Sequence, residues 1–212
     1  YLYAKHDGSL EEGFELVSHP ATLEHHLNHV PWSEVMREAA RMGYRSHKTQ
    51  TCGIHIHVNR DSFGERRCRQ DACIARILFF VDNHWSEVLN FSRRTSQQMN
   101  RWAARYGRKN NPKEMLDSAK EKGLRYTCVN LTNEDTIEFR MFRGTLRWNT
   151  FAAILQFVEL LCDWACRLSD EEMDCLSWHE FVPKEGCCPE LVQYLKEREL
   201  YINEPVSAEG EI

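Results

Sequence analysis

The sequence predicts a single α+β domain, in which a sheet presents a polar face and helices pack on its other face. Three features predict this class: short runs that alternate apolar and polar residues, longer segments with apolar residues at every third or fourth position, and neither repeats nor low-complexity linkers. The 212 residues are enough for one full-sized domain, taken here as 1–212. Within it, we expect residues 170–212 to form a helical edge.

The first elements are a hairpin, two helical segments and a third strand. Strands are predicted at 1–6 and 14–18, with a turn at Asp7-Gly8-Ser9 between them. The segments "TLEHHLNHV" and "WSEVMREAARMG" have helical spacing, and Gly43 suits the C-cap of the second. The chain then returns to a strand in "TQTCGIHIHVN".

The rest of the chain alternates helices with one more pair of strands. A long helix is predicted at 65–92, because apolar residues such as Cys73 and Ile77 recur at helical spacing. The segments "RRTSQQMNRWAARYG" and "RKNNPKEMLDSAKEKG" predict shorter helices, the second beside a polar loop. The strands "RYTCVNL" and "DTIEFRMF" follow, joined by the turn "TNED". Another helix is predicted at 149–168, and short helices complete the domain.

Composition and charge exclude several classes of partner. The net charge of −5 and the pI near 6.1 argue against nucleic acid, whose binding domains usually carry a basic excess. The most apolar stretch, "ACIARILFFV", is interrupted by Arg76, so we expect no membrane partner, and the first residues given do not have the pattern expected of a signal peptide. The nine cysteines include no CxxC pair, which favours buried free thiols in a cytoplasmic protein over a secreted disulfide framework.

Three of the strands carry ionisable side chains on one face. Residues two apart in a strand share a face, so His55 and His57 point the same way in "CGIHIHVN". Glu138 and Arg140 do so in "TIEFRMFRGT", and Glu15 lies opposite its apolar neighbours in "GFELVS". If these strands belong to one sheet, the five side chains line a concave surface. The alternative is that each polar face meets only solvent.

These residue types suit phosphate chemistry with a metal ion. Carboxylates and a neutral imidazole hold Mg²⁺ or Mn²⁺, and the planar fork of arginine binds two oxygens of a phosphate at once. Arg125, Arg140 and Arg143 all lie near the predicted surface. A zinc hydrolase also uses His and Glu, but it seldom needs the arginines. Metal with arginine is typical of phosphoryl transfer.

Two of these strands resemble those of a known superfamily. "CGIHIHVN" resembles the Gly-Met-His-Val-His strand of glutamine synthetase, and "IEFRMF" resembles its Glu-x-Arg strand. Together with "DGSLEEGFELVSHP" and "RYTCVNL", their order is similar to that of the amidoligase family, a branch of the carboxylate–amine ligases that includes glutamine synthetase and glutamate–cysteine ligase. The resemblance covers residues 7–164. It implies a glutamine synthetase-like antiparallel or mixed sheet with a concave active-site face.

The resemblance also implies an activity. ATP would phosphorylate a carboxylate to an acyl phosphate, and an amine would displace the phosphate to form an amide, with Mg²⁺ or Mn²⁺ as cofactor. The substrates would be small-molecule or peptide carboxylates and amines. The implied metal ligands are Glu15, His55 and Glu138, the implied ATP contacts are His57 and Arg125, and the implied catalytic residues are Arg140 and Arg143.

One departure from the family pattern leaves two other functions open. The family begins with a strand carrying Glu-x-Glu, and this sequence starts just after the place of that strand; "LEEG", in a turn, is no substitute. We expect the strand to precede the sequence given. The alternatives are a degenerate, non-catalytic binding module of the same fold and a metal-dependent hydrolase that uses the His-x-His strand.

Overall fold

The computed structural model of the protein describes residues 2–6, 8, 13–47 and 49–201, and they form an α+β fold with two antiparallel sheets. One sheet pairs β1 (Leu2–Lys5) with β2 (Glu15–Ser18), and the other has the order β3 (Gly53–Asn59), β5 (Thr136–Arg143), β4 (Val129–Asn130). The predicted hairpin is therefore confirmed, although Asp7 and Ser9 of its turn lie outside the described residues.

Capping residues in the sequence mark the ends of several helices. They are α1 (Leu23–Asn28), α2 (Trp32–Arg41), α3 (Arg67–Asn83), α4 (Trp85–Ser92), α5 (Ser96–Trp102), α6 (Pro112–Lys122), α7 (Trp148–Arg167), α8 (Asp170–Cys175), α9 (Trp178–Phe181) and α10 (Pro189–Glu197), with a 3₁₀ turn at Arg60–Phe63. Thr95 and Gln98 form a reciprocal capping box at α5. At α6, the side chain of Asn111 caps the first turn, and Gly123 ends the helix in the left-handed conformation that glycine adopts freely.

The predicted helix at 65–92 is wrong as one element, because it divides into α3 and α4 at His84. The backbone leaves helical geometry there, and Nε2 of His84 lies 2.9 Å from the carbonyl oxygen of Leu176. The His84 ring also packs against Phe80 and Trp178. The break is thus stabilised by contacts with the segment around α9, more than 90 residues away, and no glycine or proline marks it in the sequence.

The main core lies between α3, α7 and the apolar face of the second sheet. Helix α3 is buried on nearly all sides, as expected for a helix without a polar stripe. Apolar residues between 173 and 201 belong to the same core: Phe181 is 1% exposed, and Leu191 is fully buried. The buried side chain of Gln156 on α7 accepts a hydrogen bond from the backbone N–H of Leu191, which joins α10 to α7.

The first sheet is separate from the second, which corrects the expectation of one sheet carrying Glu15 beside the histidines. Within residues 2–6, 8, 13–47 and 49–201, β2 pairs only with β1. Phe14 and Leu16, expected to face the core, are 43% and 37% exposed, whereas Glu15 is half-buried. A two-stranded ribbon buries too little surface to cover both rows of side chains, and Phe14 instead packs edge-on against Tyr44.

The cysteines are all free thiols, as predicted, but they are not all buried. Cys73 and Cys128 are buried, whereas Cys68, Cys175 and Cys187 are exposed. None of the helices in the described part of the chain is long and apolar enough to cross a membrane.

Candidate active site

A β-bulge in β5 determines which side chains share the polar face of the second sheet. Ile56 pairs with Phe139 and Ile54 with Phe142, so β5 contains one extra residue opposite His55. Strict alternation would place Arg143 on the same face as Phe139. The bulge reverses this, because Arg143 pairs with Gly53 and therefore joins the polar face.

Glu138 lies at the centre of this face and is contacted from three strands. Its Oε1 accepts a hydrogen bond from Arg140 Nη1 at 2.5 Å, and its Oε2 accepts one from Asn130 Nδ2 on β4 at 2.7 Å. His55 Nδ1 lies 3.2 Å from Oε1 and His57 Nε2 lies 3.8 Å from it. The side chain of Glu138 is 8% exposed and that of His57 is 52% exposed, so solvent reaches this group of side chains at His57.

Burial and charge set the protonation states of the centre. Burial and the nearby charge of Arg140 lower the pKa of His55 to about 4, against the opposing effect of Glu138. Burial alone would raise the pKa of Glu138, but the hydrogen bond from Asn130 and the charge of Arg140 outweigh it, so that pKa is lowered. At neutral pH the centre therefore holds a neutral imidazole beside an ionised carboxylate.

Arg94, which the sequence analysis did not single out, is a further cation at this centre. Its Nε and Nη2 both donate to the carbonyl oxygen of Phe142, at 3.3 and 3.1 Å. Its guanidinium lies over Gly53: a Cβ there would collide with Arg94 Nη2 and stand 3.3 Å from His55 Nε2. Burial, followed by the charges of Arg140 and Arg143, lowers the pKa of Arg94 to about 10.

The arginines have more hydrogen-bond donors than the protein supplies acceptors. In the described part of the chain, the buried Nε atoms of Arg140 and Arg143 have no hydrogen-bond partner. Arg140 lies over the ring of Tyr126 at 5.5 Å, and Nη1 of Arg143 donates to the carbonyl oxygen of Arg93 at 3.3 Å. Arg94 lies near both Arg140 and Arg143, and of these three guanidinium groups only that of Arg140 pairs with a carboxylate in the described residues, which suits an incoming anion.

The structure brings together five of the seven predicted site residues. His55, His57, Glu138, Arg140 and Arg143 share the polar face of the β3–β5–β4 sheet. Arg125 is exposed, and its guanidinium lies 5.9 Å from the centroid of the Tyr126 ring that also faces Arg140. Glu15 lies in the other sheet, opposite Lys5.

The donor set of this face fits a divalent metal only in part. A neutral imidazole and an ionised carboxylate are competent ligands, and they belong here to His55 and Glu138. However, Arg140 holds the Glu138 oxygen that faces His55. Among the residues described, no group of three or more His, Cys, Asp or Glu is arranged to hold a metal ion. Mg²⁺ is usually held by one or two carboxylates and completed by substrate phosphates.

Two site residues were missed for different reasons. Asn130 lies in a strand that was predicted, and its place beside Glu138 follows from the β4–β5 register, which the sequence alone does not give. Arg94 follows α4 in a short connection, so strand periodicity could not place it on a sheet face. Gly53 beside the His-x-His motif was the one available signal, because a glycine in a strand often marks a close approach.

A buried glutamate held by arginine and flanked by two imidazoles, with shifted pKa values, is the kind of cluster that marks a candidate active site. Comparison with known proteins identifies the class further. A family model described as "putative amidoligase enzyme" matches residues 1–161, so the chain belongs to the amidoligase family. The resemblance found in the sequence is confirmed, and membership indicates a ligase-type function. No curated protein and no solved structure matches the chain.

Proposed function

We propose that the protein is an ATP-dependent carboxylate–amine ligase of glutamine synthetase-like fold, which forms an amide, peptide or isopeptide bond through an acyl phosphate. Membership of the amidoligase family supports the reaction class. The observation that carries the proposal is a group of three neighbouring guanidiniums, of Arg94, Arg140 and Arg143, in which only Arg140 pairs with a carboxylate among the residues described. The buried Nε atoms of Arg140 and Arg143 have no acceptor in that part of the chain. A transferring phosphoryl group supplies the missing acceptors.

The first step would join the carboxylate substrate to the γ-phosphoryl group of ATP. A substrate carboxylate oxygen attacks the γ-phosphorus, the bond to the β,γ-bridging oxygen breaks, and ADP leaves with the electron pair. Negative charge spreads over the phosphoryl oxygens in the transition state, where the fixed guanidinium of Arg140 stabilises it. Glu138 and Tyr126 orient that guanidinium, and His57 on the accessible side contacts the phosphates.

The second step would consume the acyl phosphate. The amine nitrogen attacks the acyl carbon, inorganic phosphate leaves, and the proton that the amine loses passes to solvent. Arg143 and Arg94 hold the departing phosphate and limit its exchange with water. A divalent ion, with His55 and Glu138 as its protein ligands, would neutralise phosphate charge in both steps. Glu15 remains a proposed ligand of another ion.

Calorimetric titration of ATP with Mg²⁺ or Mn²⁺ tests the proposal. Glu138→Gln keeps the shape of the side chain but removes the charge that orients Arg140, so we expect metal-dependent ATP binding to weaken about tenfold or more. Glu134→Gln makes the same change at an exposed position of the neighbouring turn and should leave binding unchanged. Adding hydroxylamine with a panel of carboxylates, glutamate first, should then trap acyl phosphate as hydroxamate.

The outcomes separate the three functions. Metal-dependent ATP binding that Glu138→Gln weakens and Glu134→Gln does not would support the ligase. Absence of ATP binding in a chain that includes the family's Glu-x-Glu strand would refute it and favour a non-catalytic binding module. Metal-dependent hydrolysis without any need for ATP would favour the hydrolase.

A further inference from the structure

A cavity of about 450 Å³ opens beside the end of β5, and four arginines line it. They come from three places in the fold. Arg93 and Arg94 follow α4, Arg143 ends β5, and Arg198 follows α10. The volume lies within the range of pockets that bind small molecules.

The cavity has no negative charge of its own. Its other lining residues are Ser86, Leu89, Asn90 and Thr95, which supply hydroxyl and amide groups but no carboxylate. Across residues 2–6, 8, 13–47 and 49–201, none of the four arginines lies within ion-pair distance of an Asp or Glu. Four guanidinium groups therefore line one space without a carboxylate counter-ion in the described structure, so the space attracts anions.

A purely structural role explains only part of this arrangement. Arg198 donates to the carbonyl oxygen and the side-chain oxygen of Asn90, so it holds the end of α4. Arg94 donates to a carbonyl oxygen in the same way. Arg143 keeps a buried Nε atom without a partner in the described structure, and the Arg93 side chain makes no hydrogen bond or ion pair there. No contact within the described structure therefore explains why the Arg93 side chain and Nε of Arg143 are placed at this cavity.

We propose that this arginine cavity is an oxyanion subsite, which holds a carboxylate or phosphate group of the ligand that reacts at Glu138. The proposal rests on the proposed function, because Arg94 belongs to both places: it lines the cavity, and its guanidinium reaches the point above Gly53 that His55 also approaches. Forked guanidinium groups bind two oxygens of an oxyanion at once. A ligand bound across Arg94 would therefore be anionic at a second position as well as at its reacting group.

Titration calorimetry of two probes, pyrophosphate and glutarate, tests the subsite without ATP or metal and at constant ionic strength. Arg93→Gln removes one charge from the rim without removing a side-chain hydrogen bond, so the fold should be kept. We expect saturable binding of one probe to the wild type and binding about tenfold weaker to Arg93→Gln. Arg108→Gln makes the same change at an exposed position outside the cavity and should bind as the wild type does.

The two probes identify the source of the anion. Preference for pyrophosphate assigns the cavity to nucleotide phosphates, and metal-dependent ATP binding should then weaken equally in Arg93→Gln. Preference for glutarate assigns it to a second carboxylate of the substrate, and ATP binding should be unchanged. No saturable binding of either probe, or equal weakening in both variants, overturns the subsite. Oxyanion binding by a protein that does not bind ATP would overturn the ligase function and leave the subsite.

Discussion

Two buried carboxylates of this protein each contact an arginine, but their surroundings differ. Asp82 on α3 is 1% exposed and accepts hydrogen bonds from Nε of Arg105 at 2.9 Å and from its Nη2. Its second oxygen accepts the backbone N–H of Gly107 at 2.9 Å. One carboxylate thus meets one guanidinium, and both of its oxygens are used.

The Glu138 centre lacks this balance. Arg140 pairs with Glu138, but its neighbours Arg94 and Arg143 have no carboxylate partner in the residues described, and the Nε atoms of Arg140 and Arg143 are buried there without a partner. Surplus buried cations do not stabilise a fold, so their presence points to a ligand. The comparison separates an ion pair that holds α3 to the segment after α5 from a centre that, in the proposed function, a ligand completes.

The largest expected effect is the loss of stability when the balanced pair is broken. Arg105→Met leaves Asp82 buried without its counter-charge, which should lower the free energy of unfolding by about 3–5 kcal/mol. Urea denaturation measures it. Ligand affinity of the folded variant should equal that of the wild type, because Asp82 is not part of the candidate site. Weakened ATP binding in a folded Arg105→Met variant would contradict this division.

The second effect, of about 3 kcal/mol, is a loss of stability in acid caused by His55. Its pKa falls to about 4 in the folded protein, below the usual value near 6.5. Between these values the unfolded chain binds a proton that the folded chain does not, so stability decreases as the pH falls from 6.5 to 4. Urea denaturation with a metal chelator should show a flatter profile for His55→Asn, with exposed His47→Asn as control. An unchanged profile would refute the assignment.

The periodicity of the sequence predicted the helices and strands better than it predicted which of them contact each other. The hairpin, the His-x-His strand and the helix at 149–168 were all recognisable, because their periodicity reflects which side faces the core. The strand predicted from residue 125 is shorter in the structure, Val129–Asn130, because backbone groups of Tyr126 and Cys128 form hydrogen bonds with Ala104. That partner is distant in sequence, as is the carbonyl group that stabilises the break at His84.

The candidate site shows the same limit. The alternation of β3 and β5 was enough to place His55, His57, Glu138 and Arg140 together. Arg143 was predicted from its proximity alone, and it reaches the polar face only because of the bulge, which no residue of β5 signals. Glu15 was placed with them on the assumption of one sheet, and strand pairing is a long-range property that periodicity does not specify.

The third effect tests the close approach of Arg94. Gly53→Ala places a Cβ against Arg94 Nη2, so the guanidinium must move or the strand must shift, at a cost of about 1–3 kcal/mol. Displacing a cation from the Glu138 centre should also weaken ATP binding, which calorimetry measures. Gly8→Ala, where an added Cβ meets nothing within 4 Å, is the matched control. Equal stabilities and affinities for the two variants would show that the Arg94 side chain can move away from residue 53 without cost, and that its position does not matter for binding.

The smallest effect on stability should accompany a clear loss of binding. Arg143→Met removes a guanidinium that has no carboxylate partner among the described residues and makes one long hydrogen bond, to the carbonyl oxygen of Arg93, so the free energy of unfolding should change by no more than about 1 kcal/mol. Compared with Arg105→Met, the pattern is reversed: stability is kept, while oxyanion or ATP affinity falls about tenfold in calorimetry. A large loss of stability with unchanged affinity would mean that Arg143 is as structural as Arg105, and that the surplus charge at Glu138 serves the fold rather than a ligand.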